Sequence, residues 1–221
     1  MIGNKHHFLI TGATGLVGSA LLQMLLENDQ VGKVTALVRG EMEMEHPKLT
    51  QKVVDFDTMT EREFAPNVDA IFCCLGTTMA QAGGKDAFRK VDYEYVVKLA
   101  VFAQRQKIAQ FHVISAAGAN ANSKIFYSKV KGRMELEVQK LDKIRSIYFY
   151  RPSMLLGDRT EFRFGESMGK VFMKVFNFLI PASSKAIHDS EVALSMIHHA
   201  LKPSKGVHVI SNKEMIKLSR G

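Results

Sequence analysis

Three side chains in the second half of the chain have the types and the spacing of an acid–base centre. Ser115 ends a short apolar run, Tyr127 follows twelve residues later, and Lys131 lies four residues beyond Tyr127. Residues four apart on a helix share one face, and a neighbouring ammonium lowers the pKa of a phenol from its usual value of about 10. Tyr127 would then exchange a proton with a carbonyl or alcohol oxygen that Ser115 holds in place. The alternative is that Ser115 only begins a turn and that Tyr127 and Lys131 form a surface pair.

A glycine-rich stretch near the N-terminus has the pattern of a phosphate-binding loop. An apolar run at 8–10 leads into TGATGLVG at 11–18, and an apolar-periodic segment follows, which predicts strand, turn and helix. The glycines form GxxGxxG, a relative of the dinucleotide fingerprint, in which they allow a tight turn, close approach of a pyrophosphate and close helix packing. The helix N-terminus would attract the pyrophosphate, whereas the alternative is an ordinary strand-to-helix turn. The predicted cofactor-binding residues here are Gly12, Ala13, Thr14, Gly15, Leu16, Val17 and Gly18.

The residue that follows the second apolar run indicates which dinucleotide binds. In the fingerprint, an acidic residue about 20 positions beyond the loop binds the ribose of NAD. Arg39 stands at that place here, and its guanidinium would pair with the 2′-phosphate of NADP. A carboxylate would repel that phosphate. The sequence therefore favours NADP(H) over NAD(H), with a surface arginine at a strand end as the alternative. Lys131 would in addition hold the nicotinamide ribose of the bound cofactor.

Two further strand ends supply candidates for contact with the cofactor. Leu75 ends the apolar run 69–75 and is followed by Gly76 and Thr77. A glycine at the carboxyl end of a central parallel strand lets a cofactor lie against bare backbone. Asp55 ends another run and would either hydrogen-bond an adenine amino group or cap a short acidic helix near residues 60–64.

Apolar runs alternate with helical patterns along most of the chain, which predicts an α/β fold. Alternating strands and helices form a doubly wound, mainly parallel sheet, the Rossmann fold. We expect a single NAD(P)-binding domain over 1–221, within which 153–221 form a small substrate-side C-terminal extension. The predicted strands lie at 8–10, 33–38, 51–55, 69–75, 110–115, 145–150 and 207–210, and the predicted helices follow residue 18 and span 86–106, 123–141 and 188–201, with a basic tail at 212–221. In the helix 86–106 the expected buried stripe is Phe88, Val91, Tyr95, Leu99 and Phe102.

Composition restricts the functional classes. The net charge is +8, but Lys and Arg are spread along the chain without a nucleic-acid motif, so a basic surface with a pocket for an anionic cofactor is favoured over nucleic-acid binding. No apolar run reaches the length of a membrane span, and residues 1–5 are too short for a signal peptide. Cys73 and Cys74 are adjacent in an apolar run, which excludes a disulfide framework and predicts plain buried residues. We expect a cytoplasmic protein without a metal site, because His6, His7, His198 and His199 lack neighbouring carboxylates or cysteines in the sequence pattern.

The segment 161–180 is rich in phenylalanine and contains three basic residues, Arg163, Lys170 and Lys174. It would form a wall over a substrate pocket, a subunit contact in a homodimer, or a helix that associates weakly with a membrane surface. The first two interpretations are favoured over the third, and the segment is too short to span a bilayer.

Taken together, these motifs resemble the short-chain dehydrogenase/reductase superfamily. The resemblance is carried by TGATGLVG at 11–18, Ser115, YSKVK at 127–131 and RPSMLLG at 151–157, and it extends from Phe8 to about Leu201. The chain is most similar to the atypical branch that contains the Tat-interacting proteins and small bacterial NAD(P)-binding relatives.

The resemblance implies an NADP(H)-dependent oxidoreductase that acts on a small carbonyl or alcohol substrate, with Tyr127 as the acid/base. Some atypical relatives imply instead an NADPH-binding regulatory or redox-sensing scaffold protein with little turnover. By resemblance, Pro152, Met154 and Leu155 lie along the nicotinamide, and Gly76 lies on the adenine ribose side. One departure is Asp92, which stands where the superfamily often has an asparagine that assists a proton relay. The small substrate region argues against large nucleotide-sugar substrates.

Overall fold

A parallel sheet lies at the centre of the structure, a computed structural model that describes residues 5–156 and 185–220. The strands are β1 (His6–Thr11), β2 (Val31–Val38), β3 (Leu49–Val53), β4 (Ala70–Cys73), β5 (Gln110–Ile114), β6 (Ser146–Arg151), β7 (Leu155–Leu156), β8 (Ile187–His188) and β9 (Gly206–Ser211). Among the described residues, seven of these strands form one sheet in the order β3-β2-β1-β4-β5-β6-β9, and β7 pairs with β8. Every neighbouring pair in the large sheet is parallel.

Helices cover both faces of this sheet, which confirms the doubly wound α/β prediction. The helices are α1 (Leu16–Glu27), α2 (Met79–Ala82), α3 (Lys85–Arg89), α4 (Tyr95–Arg105), α5 (Phe126–Val138), α6 (Asp189–Leu201) and α7 (Asn212–Ser219), with a 3-10 turn at Glu61–Glu63 and a π-helical segment at Lys90–Glu94. Phe8 and Ile10 of β1 enter the core beneath α1 and α6, whereas Leu9 enters the core beneath α4 and α5. Because successive strand side chains point to opposite faces, a strand buried on both sides is a continuous apolar run.

The helix predicted over 86–106 differs from expectation in its middle. Phe88, Leu99 and Phe102 are buried as predicted, but Val91 and Tyr95 are only half-buried, and Asp92 and Val96 are buried in their place. A π-helical segment lies here, in which the N–H of Tyr95 bonds the carbonyl of Lys90, five residues back. Such a turn contains an extra residue and rotates the face that follows it. Asp92 lies within this segment, four residues after the buried Phe88, so the two side chains share one face.

The C-terminal residues form a helix where the sequence predicts a basic tail. The Ser211 hydroxyl accepts a hydrogen bond from the N–H of Glu214, and the Glu214 carboxylate accepts one from the N–H of Ser211. This capping box starts α7, and Met215 and Ile216 then pack in the core beside α6. The expected tail was wrong because its lysines occupy the outer face of an amphipathic helix.

The short pair β7–β8 joins the chain on either side of residues 157–184. The Ser153 hydroxyl donates to the Lys185 carbonyl at 2.6 Å, and Asn212 bonds both the Ser153 N–H and the same carbonyl. The phenylalanine-rich segment 161–180 lies outside the described residues, so its predicted roles stay predictions. In the described part of the chain, none of the helices has the length and apolar character needed to cross a membrane.

Candidate functional site

The loop between β1 and α1 lies where the strand order reverses. β1 is flanked by β2 on one side and β4 on the other, and ligands of doubly wound sheets bind at this position. Gly12 adopts a left-handed conformation with φ of 73°, and a Cβ there would lie 2.4 Å from the carbonyl oxygen of Cys74. A Cβ on Gly18 would lie 2.0 Å from the carbonyl oxygen of Gly12. Side chains are excluded at both positions, so the loop is a tight turn of bare backbone.

The N-terminus of α1 has no side-chain cap among the described residues. Its N-cap is Gly15, and its first turn contains no acidic residue. The amides at the start of the helix therefore keep unpaired N–H groups, which favour the binding of an anion. The predicted contact residues Ala13, Thr14, Leu16 and Val17 lie around these amides. The bare turn and the uncapped helix end fit the pyrophosphate of a dinucleotide.

Two other predicted cofactor contacts lie at the same carboxyl edge. Arg39 directly follows β2 and is exposed, and within the described ranges its guanidinium has no hydrogen-bond or ion-pair partner. Asp55 follows β3, and its carboxylate accepts hydrogen bonds from the Asp57 N–H and the Thr58 hydroxyl. The alternative that Asp55 caps the short helix was wrong, because Thr60 caps the 3-10 turn. Its predicted contact with adenine stays a prediction.

Tyr127 and Lys131 lie one turn apart on α5, and Lys131 forms a buried ion pair. Its Nζ lies 2.8 Å from Oδ1 of Asp92 and 3.2 Å from the Ile114 carbonyl oxygen. The other carboxylate oxygen of Asp92 accepts the N–H of Thr77 at 2.9 Å. The Lys131 and Asp92 side chains are only 4% and 1% exposed. The pair therefore links α5, the π-helical segment, the end of β5 and the loop after β4.

The electrostatic environment keeps the phenol of Tyr127 protonated. Burial raises the pKa of Tyr127 to about 12, and the Asp92 carboxylate adds to this while the Lys131 ammonium opposes it. Burial by itself would lower the pKa of Lys131, but Asp92 and Tyr127 raise it above its usual value. Burial raises the pKa of Asp92, while the Lys131 ammonium and the hydrogen bonds to both carboxylate oxygens oppose this and favour the charged form. The pKa of the Tyr127 phenol is thus raised, whereas the sequence predicted that Lys131 would lower it.

Ser115 follows β5 and belongs to a second buried network. Its hydroxyl donates to Oε1 of Glu135, whose carboxylate also accepts hydrogen bonds from Nε and Nη2 of Arg151. Glu135 lies one turn beyond Lys131 on α5, so three titratable side chains at four-residue spacing share one helix face. Glu135 was not among the predicted site residues, although its spacing from Tyr127 and Lys131 could have identified it. Arg151 entered the sequence analysis only as part of the RPSMLLG motif.

The loop after β6 lies against the loop after β5. The Ser115 N–H donates to the Tyr150 carbonyl at 2.7 Å, and the Ala117 N–H donates to the Pro152 carbonyl at 3.0 Å. Pro152 is buried, whereas Met154 and Leu155 are half-buried at the same sheet edge as Ser115. Leu75 and Thr77 are also half-buried, and Gly76 is exposed between them. All the predicted contact residues after β4 and β6 thus lie at the carboxyl edge, and their contacts with cofactor stay predictions.

The next feature is the arrangement of side chains that could bind a metal ion. Within residues 5–156 and 185–220, there is no group of three or more His, Cys, Asp or Glu side chains that could hold a metal ion. His6 does face a carboxylate, because its Nδ1 lies 3.5 Å from Oδ2 of Asp69. The expectation that His6 lacks such a partner was wrong, since Asp69 comes from a distant part of the sequence. Cys73 and Cys74 are free thiols, Cys73 fully buried and Cys74 half-buried.

Comparison with known proteins identifies relatives over nearly the whole chain. Residues 12–142 match the family described as NAD(P)H-binding. The Rattus norvegicus protein HTATIP2 is 34% identical over 98% of this chain and 90% of its own length. The Saccharomyces cerevisiae protein FMP52, mitochondrial, is 31% identical over 96% of this chain and 95% of its own length.

Solved structures add a likeness of fold. UDP-glucose 4-epimerase from Thermotoga maritima, solved with UDP-glucose, has a TM-score of 0.71 at 15% identity and covers 97% of this chain and 82% of its own. MoeE5 in complex with UDP-glucose and NAD has a TM-score of 0.70 at 14% identity and covers 93% and 75%. At these identities the likeness shows the fold alone. The sequence matches, in contrast, confirm the resemblance to the Tat-interacting protein branch, and the chain belongs to the NAD(P)H-binding Rossmann-type family that contains HTATIP2 and FMP52.

Proposed function

We propose that this chain is an NADP(H)-dependent oxidoreductase that interconverts a small carbonyl compound and its alcohol. The observation that carries the proposal is the position of Tyr127 and Lys131. Lys131 is held 2.8 Å from Asp92 and bonds the end of β5, at the carboxyl edge onto which the uncapped N-terminus of α1 also faces. A proton donor beside a dinucleotide site is the arrangement that carbonyl reduction needs.

The cofactor would be held by backbone and by one cation. The loop Gly12–Gly18 would bind the pyrophosphate, Arg39 the 2′-phosphate, and the backbone around Gly76 the adenine ribose side. Asp55, Leu75, Thr77, Pro152, Met154 and Leu155 are the further proposed contacts. When bound in its reduced form, the nicotinamide supplies a hydride to the carbonyl carbon.

The chain's own residues handle the proton. Tyr127 gives its phenolic proton to the carbonyl oxygen as the carbon gains the hydride, so that the products are the alcohol and a phenolate that regains a proton from water. Lys131 stabilises that phenolate, because its ammonium lies on the same helix face one turn away. Ser115 orients the substrate oxygen. In the reverse direction the phenolate of Tyr127 accepts the alcohol proton.

A second candidate function is an NADPH-binding regulatory or scaffold protein with little turnover. Two contacts favour it. The proton of Ser115 is donated to Glu135, and the ammonium of Lys131 is paired with Asp92. A hydroxyl that donates to a carboxylate presents only lone pairs to its other neighbours. Ser115 must turn away from Glu135 before it can donate to a carbonyl oxygen, which would slow reduction.

The two candidates are separated by measuring NADPH oxidation with a panel of small aldehydes and ketones. The enzyme proposal predicts turnover with at least one compound, and it predicts that Tyr95→Phe, the same change at a half-buried tyrosine of α4, keeps that turnover. A panel without turnover, together with a protein partner whose capture changes when NADPH is added, would support the regulatory role. Partner capture that does not respond to NADPH would contradict that role.

A further inference from the structure

We propose that Asp92 is a positioning residue that makes ionisation of the Tyr127 phenol less favourable, by neutralising Lys131 and fixing it in place. The site then acts mainly as a proton donor, which is the direction of carbonyl reduction. This inference rests on the proposed function above, because it concerns the same phenol. It gives a specific role to the residue that stands where the superfamily often has an asparagine.

The geometry of Asp92 connects the two halves of the site. One oxygen pairs with Nζ of Lys131 at 2.8 Å, and the other accepts the Thr77 N–H at 2.9 Å. Thr77 lies in the loop after β4, among the proposed cofactor contacts, while Lys131 also bonds the Ile114 carbonyl at the end of β5. The carboxylate therefore holds the ammonium in one position relative to both strands. Without it, Lys131 would keep a single bond to a neutral carbonyl.

The Asp92 carboxylate lies within the π-helical segment, on the face that also carries Phe88 and Val96. These residues are four apart, so they share one side of the helix. The Asp92 side chain is 1% exposed. A charged side chain is rarely buried without a partner. The sequence thus departs from regular helix geometry at the residue that meets Lys131.

Among the described residues, Lys131, Asp92 and Cys73 are titratable groups whose charges act on Tyr127 or on its neighbour Lys131. Lys131 of α5 and Asp92 of the π-helical segment act on Tyr127 with opposite signs. Cys73 of β4 also acts on Lys131, and burial raises the pKa of this thiol, so that it remains neutral. The ring of Phe88 packs 5.6 Å from that of Tyr127 and adds no charge. The protonated site therefore has one positive and one negative charge, which sum to zero.

Ionisation of the phenol changes this balance unfavourably. A phenolate would place a second negative charge close to the Asp92 carboxylate, and like charges disfavour ionisation. An asparagine in place of Asp92 would leave the Lys131 ammonium as the one charge of this pair. Ionising Tyr127 would then bring the sum over Lys131, residue 92 and the phenol from +1 to zero, and phenolate formation would be favoured. The choice between carboxylate and amide at this position therefore changes how readily the phenol ionises.

The test is a spectroscopic pH titration that needs neither cofactor nor substrate. Tyrosinate absorbance is followed in the wild type, in Asp92→Asn and in Tyr127→Phe, and the difference from Tyr127→Phe isolates Tyr127 among the five tyrosines. In Asp92→Asn we expect the titration of Tyr127 to move toward acid by about one pH unit or more, a tenfold change in the equilibrium. Asp92→Glu keeps the charge, and we expect it to return the titration toward the wild-type position.

Two results would overturn the proposal. One is a Tyr127 titration that stays in place or moves toward alkali in folded Asp92→Asn. The other needs no Asp92 variant, namely a wild-type Tyr127 that ionises at or below pH of about 10, the value of a free phenol. A merely structural role of Asp92 would not shift this titration toward acid. Failure of the enzyme proposal is detected separately, as turnover that survives Tyr127→Phe, because the titration requires no turnover.

Discussion

The glycine loop after β1 and the acid–base centre on α5 are built in different ways. The loop is largely local: Gly18 leaves no room for a Cβ against the Gly12 carbonyl six residues before it, and Gly12 leaves none against the Cys74 carbonyl after β4. The centre is assembled from distant segments, because Lys131 meets Asp92 of the π-helical segment and Ile114 of β5. The conformation of the glycine loop is thus determined by steric exclusion. The acid–base centre is held together by paired charges. The two regions are expected to respond differently to substitution.

The strongest test of the loop is Gly18→Ala. The added Cβ would lie 2.0 Å from the Gly12 carbonyl oxygen, so the backbone of the turn must move. We expect a loss of about 3 kcal/mol in the free energy of unfolding, measured in urea, and loss of NADPH binding in calorimetry. The matched control is Gly40→Ala, where a Cβ meets nothing within 4 Å and a change within about 0.5 kcal/mol is expected. Equal effects of both variants would show that the loop is not sterically restricted.

His112 is buried like Lys131 and Asp92 but is uncharged, which allows a comparison with the charged acid–base centre. His112 on β5 is fully buried between the Tyr150 hydroxyl and the Gln110 side chain, and burial, aided by His199, lowers its pKa to about 3. Its pKa is lower in the folded than in the unfolded state, so its stabilising effect is complete above about pH 6.5 and is lost as the pH falls toward 3. Over the full range the change amounts to about 5 kcal/mol.

The measurement is the free energy of unfolding in urea between pH 7 and pH 4. His112→Gln removes the titrating group, and we expect its stability to depend less steeply on pH than that of the wild type. An equally steep dependence in His112→Gln would assign the acid sensitivity to other groups.

The buried and exposed ion pairs of α5 can be compared directly. Arg151→Met leaves the Glu135 carboxylate, only 8% exposed, without its cation. We expect a loss of about 3 kcal/mol in the free energy of unfolding, since breaking a buried pair strands a charge. The control is Lys140→Ala, which breaks the exposed pair with Glu137 and should cost about 0.5 kcal/mol or less. Similar losses would mean that the Ser115–Glu135–Arg151 network does not stabilise the centre.

The smallest expected effect concerns the choice of cofactor. Arg39→Ala removes the exposed guanidinium that follows β2. We expect NADPH affinity to fall by about tenfold or more, which is about 1.4 kcal/mol, while NADH affinity stays within about twofold. Arg39→Lys retains the charge but not the planar fork, and should give an intermediate loss. An equal loss for both cofactors would show that Arg39 does not contact the 2′-phosphate.

Sequence patterns predicted the features that depend on local order. The apolar runs located the seven strands of the main sheet within a few residues. The central strands gave the clearest signal, because strands buried on both faces are continuously apolar. The glycine loop and the spacing of Tyr127 and Lys131 were visible for the same reason. The π turn was not, because a single extra residue in a helical turn leaves the apolar pattern almost unchanged. The burial of Asp92 in place of Val91 was not predicted either.

Contacts between segments that are distant in the sequence could not be predicted from the apolar pattern. Arg151 and Glu135 are sixteen residues apart, and their pairing depends on how β6 lies against α5. The helix α7 was missed for a different reason, since its capping box at Ser211 and Glu214 was present in the sequence but the basic composition dominated the interpretation. The fold could therefore be predicted almost completely. The partners that set the charge at Tyr127 could not.

The most direct test of the account is Tyr127→Phe, with NADPH binding and carbonyl turnover measured on the same preparation. The substitution removes one hydroxyl and leaves the glycine loop untouched. The account predicts NADPH affinity within about twofold of wild type and turnover lower by about 100-fold or more, as expected for loss of a general acid. Turnover within about twofold of wild type would contradict the assignment of Tyr127 as the proton donor.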